Sequence, residues 1–214
     1  MKSLFLSSLL ALGLLAVPAQ AAEYPAKPIT LMTAFNAGGG SDVSHRLLEK
    51  FAKGVFDQPI VVTYKAGAGG EIGWTWLVGA KADGYTIGGV DLPHIVLQPM
   101  LRPEGQPGYK TEQLSPLCGL VYDADVVMVP EDGPYKTFKD LIEYAKANPG
   151  KVKVATVGKL TGDHLFLMQI EKLTGAKFTQ VPYSGSGKAI PALLSGEVDA
   201  YFGSGSSFLR MEKT

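Results

Sequence analysis

Short runs of apolar residues at period two alternate along this chain with longer stretches whose apolar positions recur every three or four residues. Period two marks strands and the longer period marks helices with one apolar stripe. Ile29–Phe35, Pro59–Tyr64 and Tyr85–Val90 read as strands. Between the first two, Val43, Leu47, Phe51 and Val55 recur at a spacing of four, which predicts a helix burying that stripe, with Ser41 as its N-cap. Between the second and third, Ile72, Trp76 and Ala80 share one helical face, and Asp83-Gly84 stops that helix.

Pro93, Pro99, Pro103, Pro107 and Pro116 then punctuate a stretch that reads as irregular surface with one helical turn. The alternation resumes at Val126–Val129, a strand. Thr137-x-x-Asp140 resembles a capping box, and Phe138, Leu141, Ile142 and Ala145 form a helical stripe that Asn148-Pro149-Gly150 ends. Val152–Val157, Phe178–Tyr183 and Val198–Phe202 read as strands, with helices at Asp163–Thr174 and Ala189–Ser195. Strands alternating with helices imply an α/β fold with mostly parallel sheets and helices on both faces. The irregular middle divides it into two units, residues 22–122 and 123–214.

The first residues change the picture of where the chain acts. Lys2 precedes an uncharged apolar run from Leu4 to Val17, and Ala19-Gln20-Ala21 follows, the pattern of an export signal cleaved after Ala21. A membrane span needs about 20 apolar residues, more than this run supplies. Residues 1–21 are therefore expected to be removed, which places the remainder in the periplasm. Lys2 is the only charge in that segment, so residues 22–214 keep 19 of the 20 basic and all 20 acidic residues. Such balance excludes a nucleic-acid partner, which requires clustered Lys and Arg. The single cysteine, Cys118, excludes an internal disulfide and reads as a small buried hydrophobe.

The chemistry lies in the loops that follow the strands. Asn36-Ala-Gly38-Gly39-Gly40, Gly67-Ala68-Gly69-Gly70, Gly158–Gly162 and Ser184–Lys188 each lead from a strand into a helix. In open α/β sheets ligands sit beyond the carboxyl ends of strands. Helix N-termini there offer unpaired N–H groups and partial positive charge, so they hold anions without basic side chains. One such loop is only a tight turn; four in register point to a small carboxylate.

Other chemistries fit less well. Gly67-x-Gly69-x-x-x-Gly73 approaches a dinucleotide fingerprint, with Asp91 near the ribose-binding position, but the glycine spacing is one residue too long and the loop follows the second strand. Ser184–Lys188 fails as a phosphate-binding loop, since Pro182 and Ala189 stand at required Gly and Ser/Thr positions. Ser41, Asp42 and His45 diverge around a helix axis, so no catalytic set forms. His45, His94 and His164 lack metal-ligand spacing. His45 reads as solvated helix surface. His94 either reaches the cleft or is satisfied within its loop, and His164 starts a helix beside a glycine loop. No metal, no cofactor and no catalytic residue is expected.

Tyr24-Pro-Ala-Lys-Pro-Ile-Thr30, Phe35-Asn-Ala-Gly-Gly-Gly-Ser-Asp42, Gly67-Ala-Gly-Gly70, Asp83-Gly-Tyr-Thr-Ile87, Val181-Pro-Tyr-Ser-Gly185 and Leu193-Leu-Ser-Gly-Glu-Val-Asp199 occur in this order. Together they resemble the substrate-binding proteins of tripartite tricarboxylate transporters, also called the Bug family. The resemblance implies a two-lobed type II periplasmic-binding-protein fold, closing as a Venus flytrap, with no enzymatic activity. It implies a monomer that binds a small carboxylate and transiently touches membrane transporter subunits. Implied ligand-binding residues are Phe35, Asn36, Gly38, Gly39, Gly40, Ser41 and Asp42 in one loop and Gly67, Ala68, Gly69 and Gly70 in the other. His94 joins them, and the second lobe adds Thr156, Thr161, His164 and Tyr183. Asn36 departs from the proline or small apolar residue expected after Phe35 and adds a side-chain hydrogen bond. Asp91-Leu-Pro-His94 replaces a Ser/Thr-rich loop. Family chains also run further, so the second lobe and the return to the first are expected to be incomplete here. The competing expectations are an exported α/β enzyme using a nucleotide cofactor and a receptor feeding a signalling system.

Overall fold

The structure, a computed structural model, describes residues 23–103 and 106–207. The expected export signal at 1–21 and residues 208–214 lie outside the described residues.

Two sheets form where the period-two runs predict strands, with the strand ends displaced or shortened by a residue or two. The first joins β1 (Ile29–Thr33), β2 (Ile60–Tyr64) and β3 (Thr86–Gly88) in the order β2-β1-β3, all parallel. Leu31 is in register with Val62 on one side and Ile87 on the other. The second joins β4 (Asp125–Met128), β5 (Lys153–Thr156), β6 (Thr179–Pro182) and β7 (Ala200–Ser204) in the order β4-β7-β5-β6. Only β4 runs antiparallel to its neighbour. β1 and β5 each have a strand on both sides and are buried along nearly their whole length, as central strands are.

Helices α1 (Gly40–Ala52), α2 (Glu71–Val78) and α3 (His94–Leu101) belong with the first sheet; α4 (Phe138–Ala147), α5 (Gly162–Thr174) and α6 (Ser186–Leu194) belong with the second. Thr137 and Asp140 form the expected capping box on α4, with Asp140 N–H donating to Thr137 Oγ1 and Thr137 N–H to the Asp140 carboxylate. Leu141, Ile142 and Ala145 are buried as their stripe predicts. Each sheet has an apolar cluster of its own. A third draws Met32, Phe35 and Trp74 together with Ala155, Leu193 and Tyr201, so apolar contact runs from one sheet to the other.

Several expectations fail, each for a packing reason. The α1 stripe faces outward: Leu47 is 47%, Phe51 69% and Val55 72% exposed. α1 instead turns Gly40, Asp42 and His45 inward, with Leu48 and Ala52 against β1 and β2. His45 is therefore buried, and its Nδ1 shares a 2.6 Å hydrogen bond with Thr33 Oγ1 from the central strand. Gly39, not Ser41, is the N-cap of α1. α6 begins at Ser186, because Gly185, at φ 153 and ψ 160, caps it three residues earlier than expected. The proline-rich middle holds a two-turn helix, α3, with Pro99 inside it. Cys118 is exposed rather than buried, since the segment from 115 to 124 carries no regular element and packs under nothing.

Candidate functional site

Loops from the two sheets meet directly. Asn36 donates its Nδ2 to Ser184 Oγ at 2.5 Å and its backbone N–H to the Ser184 carbonyl at 3.4 Å. Gly40 N–H donates to Ser186 Oγ at 3.3 Å, and a Cβ on Gly39 would lie 2.8 Å from that same oxygen. A Cβ on Gly158 would lie 3.1 Å from the Gly69 Cα, so here the two backbones touch. His94 Nε2 accepts the Gly162 N–H at 3.3 Å. Residues 36–40, 69 and 94 thus face 158, 162, 184 and 186, five helix N-termini in one place.

Within this contact the side chains divide by task. Asp42 braces its own loop: its carboxylate accepts Gly38 N–H and Tyr64 O–H, each at 2.7 Å. Burial would raise this carboxyl, but those donors and the nearby Arg46 guanidinium hold it below the usual range. Ser41 Oγ donates to Asp91 at 3.3 Å, and burial pushes the Asp91 carboxyl up to about 6. Thr161 caps α5, accepting His164 N–H at 3.4 Å and donating to the Gly158 carbonyl at 2.8 Å.

His94 sits under the edges of Phe35 and Trp74, with ring centroids 6.0 and 6.2 Å away. Burial pushes its imidazole down to about 4, so it is neutral near pH 7. Because Nε2 accepts from Gly162, Nδ1 carries the proton, and that buried N–H has no partner among the described residues. Asp163 is buried at the start of α5, where it accepts Val157 N–H at 3.0 Å. Burial raises its carboxyl to about 7, with the Asp125 charge adding to the rise.

Three expected site residues point elsewhere. Thr156 is fully buried and accepts the Gln180 amide at 2.7 Å. His164 accepts the Leu160 N–H at 3.2 Å within its own turn. Tyr183 donates its hydroxyl to Glu197 at 2.7 Å. Conversely, Gln98 and Arg102 take part from outside the expected loops, donating to the Gly69 and Ala68 carbonyls, while Ser184 and Ser186 contribute side chains from the expected Ser184–Lys188 loop. The signal for Gln98 and Arg102 was present: with His94 they form a polar stripe at spacing four. Among the described residues no group of three or more His, Cys, Asp or Glu could hold a metal ion, and no helix is long and apolar enough to cross a membrane.

A mostly parallel α/β pair with glycine loops meeting at the strand ends is the architecture of periplasmic binding proteins, and solved structures of that class superimpose on this chain. BugD, a periplasmic binding protein, matches with a TM-score of 0.76 and 30% identity over 86% of this chain and 60% of its own. MatC of Rhodopseudomonas palustris, solved with bound malate, gives 0.74 and 25% identity over 85% of this chain and 61% of its own. Residues 44–211 match the tripartite tricarboxylate transporter family receptor, and this chain belongs to that family. Protein BugT of Bordetella pertussis is 35% identical over 192 residues, covering 87% of this chain. The chain spans 57% of BugT's length. The matched family is one of receptors, and BugD is a binding protein.

Proposed function

We propose that this chain is the ligand-holding part of an exported receptor that captures a small carboxylate between two α/β lobes, residues 22–122 and 123–214, and delivers it to a tripartite transporter. The observation that carries the reading is the convergence of glycine loops from both sheets on one contact that keeps unpaired donors. The His94 Nδ1–H has no partner, and the Gly69 N–H donates to no group outside its own short turn, among the described residues. Buried donors without partners cost free energy until an acceptor arrives, and a carboxylate at converging helix N-termini is the acceptor that suits them. Malate in MatC favours a dicarboxylate of similar size. In this reading Ser184 and Ser186 hold donors of the first loop while the two loops touch, and separation of the lobes frees those donors for a carboxylate. Phe35 through Asp42, Gly67 through Gly70, His94 and Thr161 are then the nearest residues. Thr156, His164 and Tyr183 shape the second lobe around them. The Lys2-to-Ala21 pattern supports export to the periplasm, where the receptor works as a monomer.

Calorimetry of the chain against malate, adipate, citrate and NADH tests this. Micromolar binding of one of the acids and none of NADH is expected. Binding of NADH alone would replace the receptor reading with the cofactor one.

A further inference from the structure

α3 and the residue after it carry His94, Gln98 and Arg102, one helical turn apart, along the second glycine loop. Gln98 is completely buried, an unusual place for an amide. Its Nε2 donates to the Gly69 carbonyl at 2.8 Å, and its Oε1 accepts the Tyr109 hydroxyl at 3.3 Å. Arg102, braced by the Glu71 carboxylate, donates Nη2 to the Ala68 carbonyl at 3.0 Å. Two successive carbonyls are thus pulled toward α3. A trans peptide is planar, with its C=O and N–H pointing opposite ways. Holding the Ala68 carbonyl toward Arg102 therefore turns the Gly69 N–H away from α3. That is the side of the second sheet, where a Cβ on Gly158 would lie 3.3 Å from the Gly69 nitrogen. The turn needs its glycine, since Gly69 has φ 66, and its amide donates to no group outside that turn among the described residues.

We propose that Gln98, seconded by Arg102, is the positioning residue that keeps the Gly69 amide facing the second lobe as the donor for a ligand oxygen. This rests on the carboxylate reading above. The device also sets specificity. With the peptides held this way the turn offers a donor and selects an acceptor; flipped, it would offer a carbonyl and favour an ammonium group.

Gln98→Glu keeps the shape and replaces the donor. Near pH 8 the introduced carboxylate would face the Gly69 carbonyl and repel it. Once protonated, the same side chain can donate again. The groups around it are His94 and Arg102 on either side along α3, Tyr109 from the following segment, and Glu71 behind Arg102. Calorimetry with malate is run at pH 8 and pH 5.5, each variant against the unsubstituted chain at the same pH, so that malate ionisation cancels. Gln98→Glu should bind about tenfold more weakly at pH 8 and recover toward parity at pH 5.5. Gln98→Met should be weak at both. The Gly69 amide resonance of the ligand-free, ¹⁵N-labelled protein should move with pH in Gln98→Glu only. Equal weakening at both pH values with a stationary Gly69 resonance would reduce Gln98 to packing and overturn the proposal. If the unsubstituted chain binds no acid, the carboxylate reading falls and the Gly69 resonance alone decides the positioning role. Should the Gln98 variants not fold, Arg102→Met replaces them, at a side chain 18% exposed. It should weaken malate severalfold without lowering the melting temperature by more than a few degrees, and unchanged affinity overturns the proposal equally.

Discussion

The Nε2 atom of His94 accepts the backbone N–H of Gly162 at 3.3 Å, tying the start of α3 to the start of α5 across the two sheets. The bond exists only while the imidazole is neutral, because a protonated ring has no lone pair to offer. Burial keeps it neutral, pushing the group down to about 4 from an ordinary 6.5.

Acid should therefore weaken the protein through His94. Between about 6.5 and about 4 the unfolded chain takes up a proton at this residue that the folded chain refuses, so stability is lost as pH falls through that window. The effect amounts to at most about 3 kcal/mol. Urea unfolding at pH 7 and pH 4.5 should show the loss, and His94→Gln should remove most of it. An equal acid loss in both chains would assign it elsewhere.

Asp163 should act in the opposite direction. Its folded carboxyl holds a proton up to about 7, well above the ordinary 3.8, so its contribution is complete in acid and is lost as pH rises through about 7. Asp163→Asn keeps an oxygen for the Val157 N–H and has no proton to lose. At pH 8 it should be more stable than the parent by about 1–3 kcal/mol, with the advantage gone at pH 4. Melting curves across that range decide, and parity at pH 8 would show that the carboxyl stays solvated.

Gly69→Val should damage binding and folding together. A β-branched residue is strained at φ 66, and its Cβ would lie 3.1 Å from Gln98 Nε2, the Lys159 carbonyl and Thr161 Cγ2. Malate affinity should fall by about 1.5–3 kcal/mol if a charge-assisted bond to this amide is lost. Gly54→Ala is the control, since Gly54 has φ 88 but nothing within 4 Å of its Cβ position. It should cost stability and leave affinity alone. Retained malate affinity in the Gly69 variant removes this loop from the site.

Trp74, on α2, should be the most costly truncation among the residues packed on the first sheet. It is fully buried, donates Nε1 to the Gly89 carbonyl at 3.0 Å, and lies edge-on to Phe35, His94 and Tyr109. Trp74→Ala should lose about 3–5 kcal/mol in denaturant unfolding. Trp74→Phe keeps most of the ring and should lose roughly 1–2 kcal/mol. A loss under about 1 kcal/mol for the alanine variant would mean that the aromatic cluster collapses to fill the space.

Local rules made the strands, the α4 capping box and the glycine turns legible, because each depends on residues within a few positions of one another. Proline content concealed α3. Five prolines in the stretch read as punctuation around one helical turn, yet the helix runs for two turns with Pro99 inside it and carries the stripe of His94, Gln98 and Arg102. The motifs around Phe35–Asp42 and Gly67–Gly70 identified the family, since glycines at strand-to-helix turns answer to backbone geometry alone.

Which face a helix turns to its sheet was decided only by the fold. The stripe of Val43, Leu47, Phe51 and Val55, which α1 carries only as far as Phe51, has the correct spacing, but spacing specifies a stripe and not its direction. His45 and Asp42 won the inward face because Thr33 and Tyr64, distant in sequence, offered them hydrogen bonds. The same holds at the candidate site. The sequence by itself determined that four loops would expose backbone donors at helix starts. Tertiary structure decided which donors stay free, because Ser184, Ser186, Gln98 and Arg102 come within hydrogen-bond range of those loops only after the chain has folded.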